Sequence, residues 1–322
     1  MSNKIASIGI YGDLHLSSKN YGAHRDYPKE TLEYLRTITK LTREYGLTHL
    51  IGLGDFTFGR FNTLEYRAEV DKELTEQFNL VNGNRYELKG NHDIASYGST
   101  ERDYYIQRGL LKPSCNLHIG NLNITMIDYD ADPRTIQTEY IVDNSHVNIA
   151  LAHNYYKFKD TQLPNFGDAI ELDDLTNLYG TEYLVCGHIH KIMGFKGHIV
   201  KDGSAHECIV HYPGCMARPA FTDNLDTEGN FVVISVFDNG EVKYDIVSVP
   251  LWSINESFNI EAKEAELQKK EEKAKRVDIS DVIKNLNEHD HNIGDPESII
   301  NSMQGVDDRY KKKAISLLHN ID

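Results

Sequence analysis

Side chains able to hold hard metal ions recur at five places in the first 190 residues: Asp13-Leu14-His15, Gly54-Asp55, Gly90-Asn91-His92-Asp93, His153 and Gly187-His188-Ile189-His190. Singly, each has an ordinary explanation. D-x-H is common, Gly-Asp is almost uninformative, and a histidine after an apolar run usually bonds within a turn. Together they run in order, with separations of 42, 36, 62 and 35 residues between Asp13, Asp55, Asn91, His153 and His188. The set offers carboxylate and amide oxygens and imidazole nitrogens but no thiolate, which suits Mn, Fe or Zn rather than a cysteine zinc site. Alternate residues of an extended segment point the same way, so Asp13 and His15 can reach one ion. His188 and His190 share that spacing, and each can face either of two neighbouring ions. A glycine just before Asp55, Asn91 and His188 allows close backbone approach. Two divalent ions sharing a carboxylate would polarise a phosphoryl oxygen and lower the pKa of a water.

These groups can meet only if the elements before them are aligned. Ile5 to Tyr11, Leu47 to Leu53, Tyr86 to Leu88, Val147 to Ala152 and Tyr183 to Cys186 are short apolar runs that read as strands, each ending just before one of the five segments. A helix after Pro28 places Leu32, Leu35, Ile38 and Leu41 on one face and stops at Gly46, and a second covers Leu64 to Phe78. This alternation points to βαβ units, whose ligands gather beyond the carboxyl ends of the strands. Further along, His118 to Tyr129 reads as a hairpin, Glu171 to Tyr179 as a short helix and Ile209 to Tyr212 as a strand. Phe231 to Val236 and Val242 to Val249 form a hairpin around Asp238-Asn239-Gly240.

At 322 residues the chain has room for one large domain with an appendage, expected here as 1–255 and 256–322. Apolar residues make up 40% and the net charge is -15, so a sizeable core is expected and a simple basic nucleic-acid binder is disfavoured. The mean hydropathy is -0.50 and no apolar run reaches the ~20 residues of a membrane span. Cys115, Cys186, Cys208 and Cys215 lack CxxC spacing, so reduced thiols and a cytoplasmic location are expected. Glu261 to Arg276 reads as a solvated helix, and Ser298 to Met303 and Tyr310 to Ile321 as short helices.

The pattern D-x-H, G-D, G-N-H-D, H, G-H-x-H over about residues 5 to 249 resembles the calcineurin-like metallophosphoesterases. That resemblance implies a four-layer α/β/β/α sandwich, here with a short C-terminal helical appendage. It also implies a centre of two divalent ions, Mn first, with Fe or Zn as alternatives. One ion would take Asp13, His15, Asp55 and His190, and the other Asp55, Asn91, His153 and His188. His92, oriented by Asp93, would protonate the leaving group. The segment His211-Tyr212-Pro213-Gly214-Cys215-Met216-Ala217-Arg218, then Phe221, is similar to a loop of SbcD-type nucleases of double-strand-break repair. It implies DNA as substrate, with Arg218 as a backbone contact, and an SbcC-like SMC-type ATPase docking on the C-terminal helical tail, with a homodimer as a further expectation. The other reading is a phosphatase or phosphodiesterase acting on a small molecule or protein. Two features depart from the SbcD pattern: Phe58 stands three residues after Asp55 where that family often has His or Asp, and little capping region follows the core.

Overall fold

The computed structural model describes residues 2–58, 62–94, 99–129, 146–161, 169–221, 228–276 and the isolated helical positions 311, 312 and 315. Two compact units are present, 1–263 and 264–322. In the first, thirteen strands among the described residues form two large sheets and a small ribbon.

The first sheet has the order β13-β12-β1-β2-β3. β1 (Lys4–Tyr11), β2 (His49–Gly52) and β3 (Arg85–Glu87) run parallel, and β12 (Glu228–Phe237) and β13 (Val242–Pro250) close one side antiparallel. The second sheet has the order β10-β11-β9-β6-β5-β4. Its centre, β5 (Leu122–Ile127), β6 (Val147–Ala152), β9 (Tyr183–Cys186) and β11 (Ser204–Pro213), is parallel. β4 (Asn116–Ile119) and β10 (Ile192–Lys201) are antiparallel edges. β7 (Tyr156–Lys157) and β8 (Ile170–Glu171) make the ribbon.

The two-residue period of each strand divides the core into layers. Ile8 and Ile10 of β1, Ile51 of β2, Ile149 and Leu151 of β6, Val185 of β9 and Val232, Ile234 and Val236 of β12 pack between the sheets. Their neighbours Tyr11, Leu50, Phe231 and Val233 face the helical layer instead. Ala150, Ala152, Leu184 and Cys186 face outward on the second sheet. Parallel strands buried on both faces are expected to be apolar throughout, as these are.

The helical layer is α1 (Tyr27–Glu44), α2 (Leu64–Leu80) and α3 (Glu101–Gln107). The Asp26 side chain caps α1 by accepting from Lys29 N–H at 3.2 Å, and Thr63 caps α2 by accepting from Tyr66 N–H at 3.3 Å. Leu35 and Ile38 are buried in the core beneath, as their spacing demands. After α1 the chain reverses through Gly46 at φ 55°.

The expected sandwich is present: helices, two stacked sheets and an outer layer. That outer layer, among the described residues, contains the ribbon and two 3₁₀ turns (Leu172–Asp174 and Thr176–Leu178) where a short helix over Glu171 to Tyr179 was expected. Leu172, Leu175 and Leu178 are all buried and recur every third residue, which matches three residues per turn better than 3.6. β10 and α3 had no clear signal in the sequence. β10 contains Gly194 and Gly197, and a Cβ at Gly197 would lie 2.4 Å from the Phe158 ring. α3 is a seven-residue helix closed by a Thr100–Asp103 capping box.

α4 (Ile254–Ser257) and α5 (Ile260–Arg276) follow β13, and α5 carries the expected charged composition. The helices expected at 298–303 and 310–321 lie outside the described residues, except that Lys311, Lys312 and Ile315 are helical. No helix among the described residues is long and apolar enough to cross a membrane.

Candidate metal centre

The parallel strands of both sheets bring their carboxyl ends to one place. β1 delivers Asp13 and His15, β2 Asp55, β3 Asn91 and His92, β6 His153 and β9 His188 and His190. Cross-bonds lock these turns together. His15 N–H donates to Asp55 O at 2.9 Å, and Met216 N–H to Asp13 O at 2.9 Å. His188 N–H donates to the Asp13 carboxylate at 2.9 Å and His92 N–H to Asp55 Oδ1 at 2.8 Å.

Two groups of donors result. In the first, His15 Nε2 faces His190 Nε2 at 3.0 Å, and His190 Nε2 lies 3.5 Å from Asp13 Oδ2. In the second, Asn91 Oδ1 lies 3.1 Å from His153 Nε2 and 2.9 Å from His188 Nδ1. Asp55 Oδ2 is 3.8 Å from His15 Nε2 and 3.4 Å from His153 Nε2, so one oxygen looks into both groups while Oδ1 is held by the His92 amide. His153 Nδ1 donates to Leu53 O at 2.7 Å, which leaves Nε2 as the atom that would face an ion.

The residues fit a pair of cations. Donor atoms of Asp13, His15 and His190 lie within 4.8 Å of one another, as do those of Asp55, His153 and His188. A third such triad, His15, Asp55 and His92, brings His92 to the edge of the first group. His15 Nδ1 is buried with no hydrogen-bond partner, and His15, Asp55 and His188 have φ of 49°, 49° and 77°, a region non-glycine residues seldom occupy. The space is shaped by glycine. A Cβ on Gly90 would lie 2.1 Å from Asp55 Oδ1, and one on Gly187 2.5 Å from Asp13 Oδ1.

The electrostatics are those of charges gathered out of water. Burial raises the Asp13 carboxyl, against the pull of His153 and His190. Burial also acts upward on Asp55, but His153, His15 and His92 outweigh it and leave this carboxyl well below its usual range. Burial drives His15 well down and, with His153 beside it, lowers His188 to about 4, so both rings present lone pairs. Desolvation pushes His153 down too, yet Asp55 and Asp13 carry it up to about 9. Divalent charge at the site would displace that proton.

His92 is exposed, at the rim, with its ring against Phe58 and His15 at 5.1 and 5.2 Å. Asp93 does not orient it. Its carboxylate is 1% exposed and accepts from Gly90 N–H at 2.9 Å and Phe56 N–H at 3.3 Å, so it ties the Asn91 turn to the Asp55 turn. Burial raises this carboxyl to about 7. Arg218 is likewise 1% exposed, and its guanidinium donates to Trp252 O and to Ser257 Oγ. An arginine held so far inside acts as a structural cation, its guanidinium turned to Trp252 and Ser257.

Three further residues belong to the site. Phe58 and Tyr129 stand at opposite groups, Tyr129 with its ring 5.9 Å from His188 and 6.2 Å from His153. Tyr129 follows β5 by two residues, so the strand-end rule that found the ligands would also have found it. Arg102 of α3, 5% exposed, donates to Leu88 O at 3.1 Å and Glu87 O at 2.6 Å, fixing the exit of β3 toward Asn91. No local sequence signal marked it.

No family model and no curated protein matches the chain. Among solved structures, it is similar to a dimetal phosphatase from Danio rerio, with TM-score 0.42 and 12% identity over 78% of this chain and 100% of that one. It is also similar to Vps29 of Chaetomium thermophilum, with TM-score 0.33 and 13% identity over 77% and 99%. The strands and their register form two stacked sheets beneath a helical layer, with the donor residues gathered where the parallel strands of both sheets end.

Proposed function

We propose that the chain is a two-metal phosphodiesterase acting on DNA. One observation carries the hydrolytic part: Asp55 Oδ2 faces both donor groups, 3.8 Å from His15 and 3.4 Å from His153, as a shared ligand of two ions must. Asp13, His15 and His190 would hold one ion, Asn91, His153 and His188 the other, with Mn as the first candidate metal and Fe or Zn as alternatives. Bound there, the ions supply Lewis acidity toward a phosphoryl oxygen and a more acidic water. The chain does the rest. The backbone bonds of His188 and His92 to Asp13 and Asp55 fix the carboxylates, so little reorganisation accompanies reaction. His92, exposed at the rim, gives a proton to the departing oxygen.

Likeness of residues 211–221 to a loop of SbcD-type nucleases supports DNA as the substrate, and the tail is assigned to docking an SbcC-like SMC-type ATPase. Arg218, turned inward, supplies no support. The test is cleavage of DNA with defined ends, with manganese, with and without the ATPase. Cleavage of single-stranded or nicked DNA is the expected result. Intact DNA alongside rapid turnover of small monoesters overturns the DNA assignment. The second reading, hydrolysis of a small or protein phosphoester, is favoured by the net charge of -15. It predicts turnover of aryl phosphates that DNA does not inhibit.

A further inference from the structure

Resting on the phosphodiesterase reading, we propose that Phe58 is the surface on which the leaving group lies, and that it selects esters whose departing alcohol carries a planar ring. The residue is rigidly presented. Its N–H donates to Leu16 O at 3.0 Å, and its carbonyl accepts from Tyr21 Oη at 3.0 Å. The Tyr21 ring packs edge-on at 4.5 Å and 83°, and Tyr21 is held in turn by Ser17 Oγ at 3.0 Å. Phe58 is half-buried, with three rings packed around it.

Its neighbours decide what it meets. The ring lies 5.5 Å from His15, within the first donor group, and 5.1 Å from His92 at a 46° tilt. His92 is the exposed imidazole of the site and the proton donor to the departing oxygen. In that step the bond from phosphorus to the leaving oxygen breaks, a water oxygen bonds to phosphorus, and the His92 proton goes to the leaving oxygen. The proton released by the water returns His92 to its starting state through solvent. Carbon attached to the departing oxygen must therefore sit beside His92, against Phe58. A phenyl ring offers no hydrogen bond there, so a small hydrated alcohol gains nothing from it, whereas a flat ring gains stacking and burial. At the other donor group the aromatic neighbour is Tyr129, a phenol. The two ends of the site are thus chemically unlike, which gives a bound diester one preferred direction.

Phe58 takes no part in proton transfer and acts as a binding residue. Its test compares the full-length metal-loaded chain with Phe58→Ala, Phe58→Leu and Phe58→Trp. Turnover is read on two phosphodiesters that share one arm and differ in the other, benzyl alcohol or methanol, two alcohols of similar acidity. Binding is read separately by calorimetry with phenylphosphonate and methylphosphonate, which cannot be hydrolysed at their phosphorus–carbon bond. Wild type should favour the ring-bearing member of each pair about tenfold, the order of a base–aromatic stack. Phe58→Ala and Phe58→Leu should bring both ratios close to one, and Phe58→Trp should keep them. Phe58→Leu carries the test if the alanine variant does not fold. Unchanged ratios overturn the proposal. So does an equal loss on both members, which would make the ring only a support for His92. If wild type cleaves neither ester with Mn, Fe or Zn, the phosphodiesterase reading fails, while the phosphonate pair still reports on Phe58.

Discussion

The two donor groups look alike in composition and differ in how they are held. In the group of Asn91, His153 and His188, the chain supplies the order. His153 is fixed through Leu53 O at 2.7 Å, and Asn91 Oδ1 rests within 3.1 Å of both imidazoles. In the group of Asp13, His15 and His190, two ring nitrogens face each other at 3.0 Å and the far nitrogen of His15 has no partner. The second group is preorganised by hydrogen bonds, and the first is arranged for an ion to complete. One half of the site is thus ordered by the chain's own hydrogen bonds, while the imidazoles of the other half face each other across the space a cation would fill.

The largest effect is expected of His153→Ala. It should remove the ion of the second group together with essentially all turnover, a fall of more than about a thousandfold if both ions are required. Metal analysis showing two ions retained would reject the ligand assignment. His92→Ala comes next. Turnover should fall by roughly 10²–10⁴, the usual worth of a general acid, with metal content unchanged. Loss of an ion would instead assign His92 to the triad it forms with His15 and Asp55.

Asp93→Ala tests the tie between the turns of the two groups. Removing a buried acceptor of two N–H bonds should cost about 1–3 kcal/mol of stability and weaken both ions, read by thermal unfolding with and without metal. A variant that loses only turnover would restore the orienting role for Asp93. Chelator titration separates the groups directly. The ion of Asp13, His15 and His190 should leave first, giving two steps, because its ligands relax once it has gone. One concerted step would erase the distinction.

Glu30, on α1 and apart from both groups, provides the smallest effect. Burial raises its carboxyl from 4.5 to about 7 despite bonding to Ser257 and the nearby charge of Arg218. The unfolded chain releases this proton near 4.5 and the folded chain holds it until about 7, so the folded state binds more protons in between. Its contribution is therefore fully present below about 4.5 and is lost as pH rises through about 7. Glu30→Gln should flatten that slope, shifting the midpoint at pH 8 relative to pH 5 by on the order of 2 °C. An unchanged slope would assign the dependence elsewhere.

The sequence made the ligands readable because each follows a short apolar run, and strand ends in parallel sheets converge by geometry alone. It failed where burial, rather than residue type, sets the role. Asp93 and Arg218 have the chemistry of site residues, but both are 1% exposed and are bonded to backbone or buried hydroxyl groups that no motif encodes. Phe58 could be noticed only as a departure, since its value lies in the rings beside it. The turns at 172–178 read as a helix in the sequence because leucines three apart fit both helical periods nearly as well.

His15, Asp55 and His188 all hold backbone angles that an L-residue adopts reluctantly, at φ of 49°, 49° and 77°. Each such position costs on the order of 1–3 kcal/mol. In a descendant that gave up its metals, those three sites would be under immediate pressure to become glycine or asparagine. Loss of metal from a relative is therefore expected to leave its mark first at these three positions, where glycine would relieve the strain.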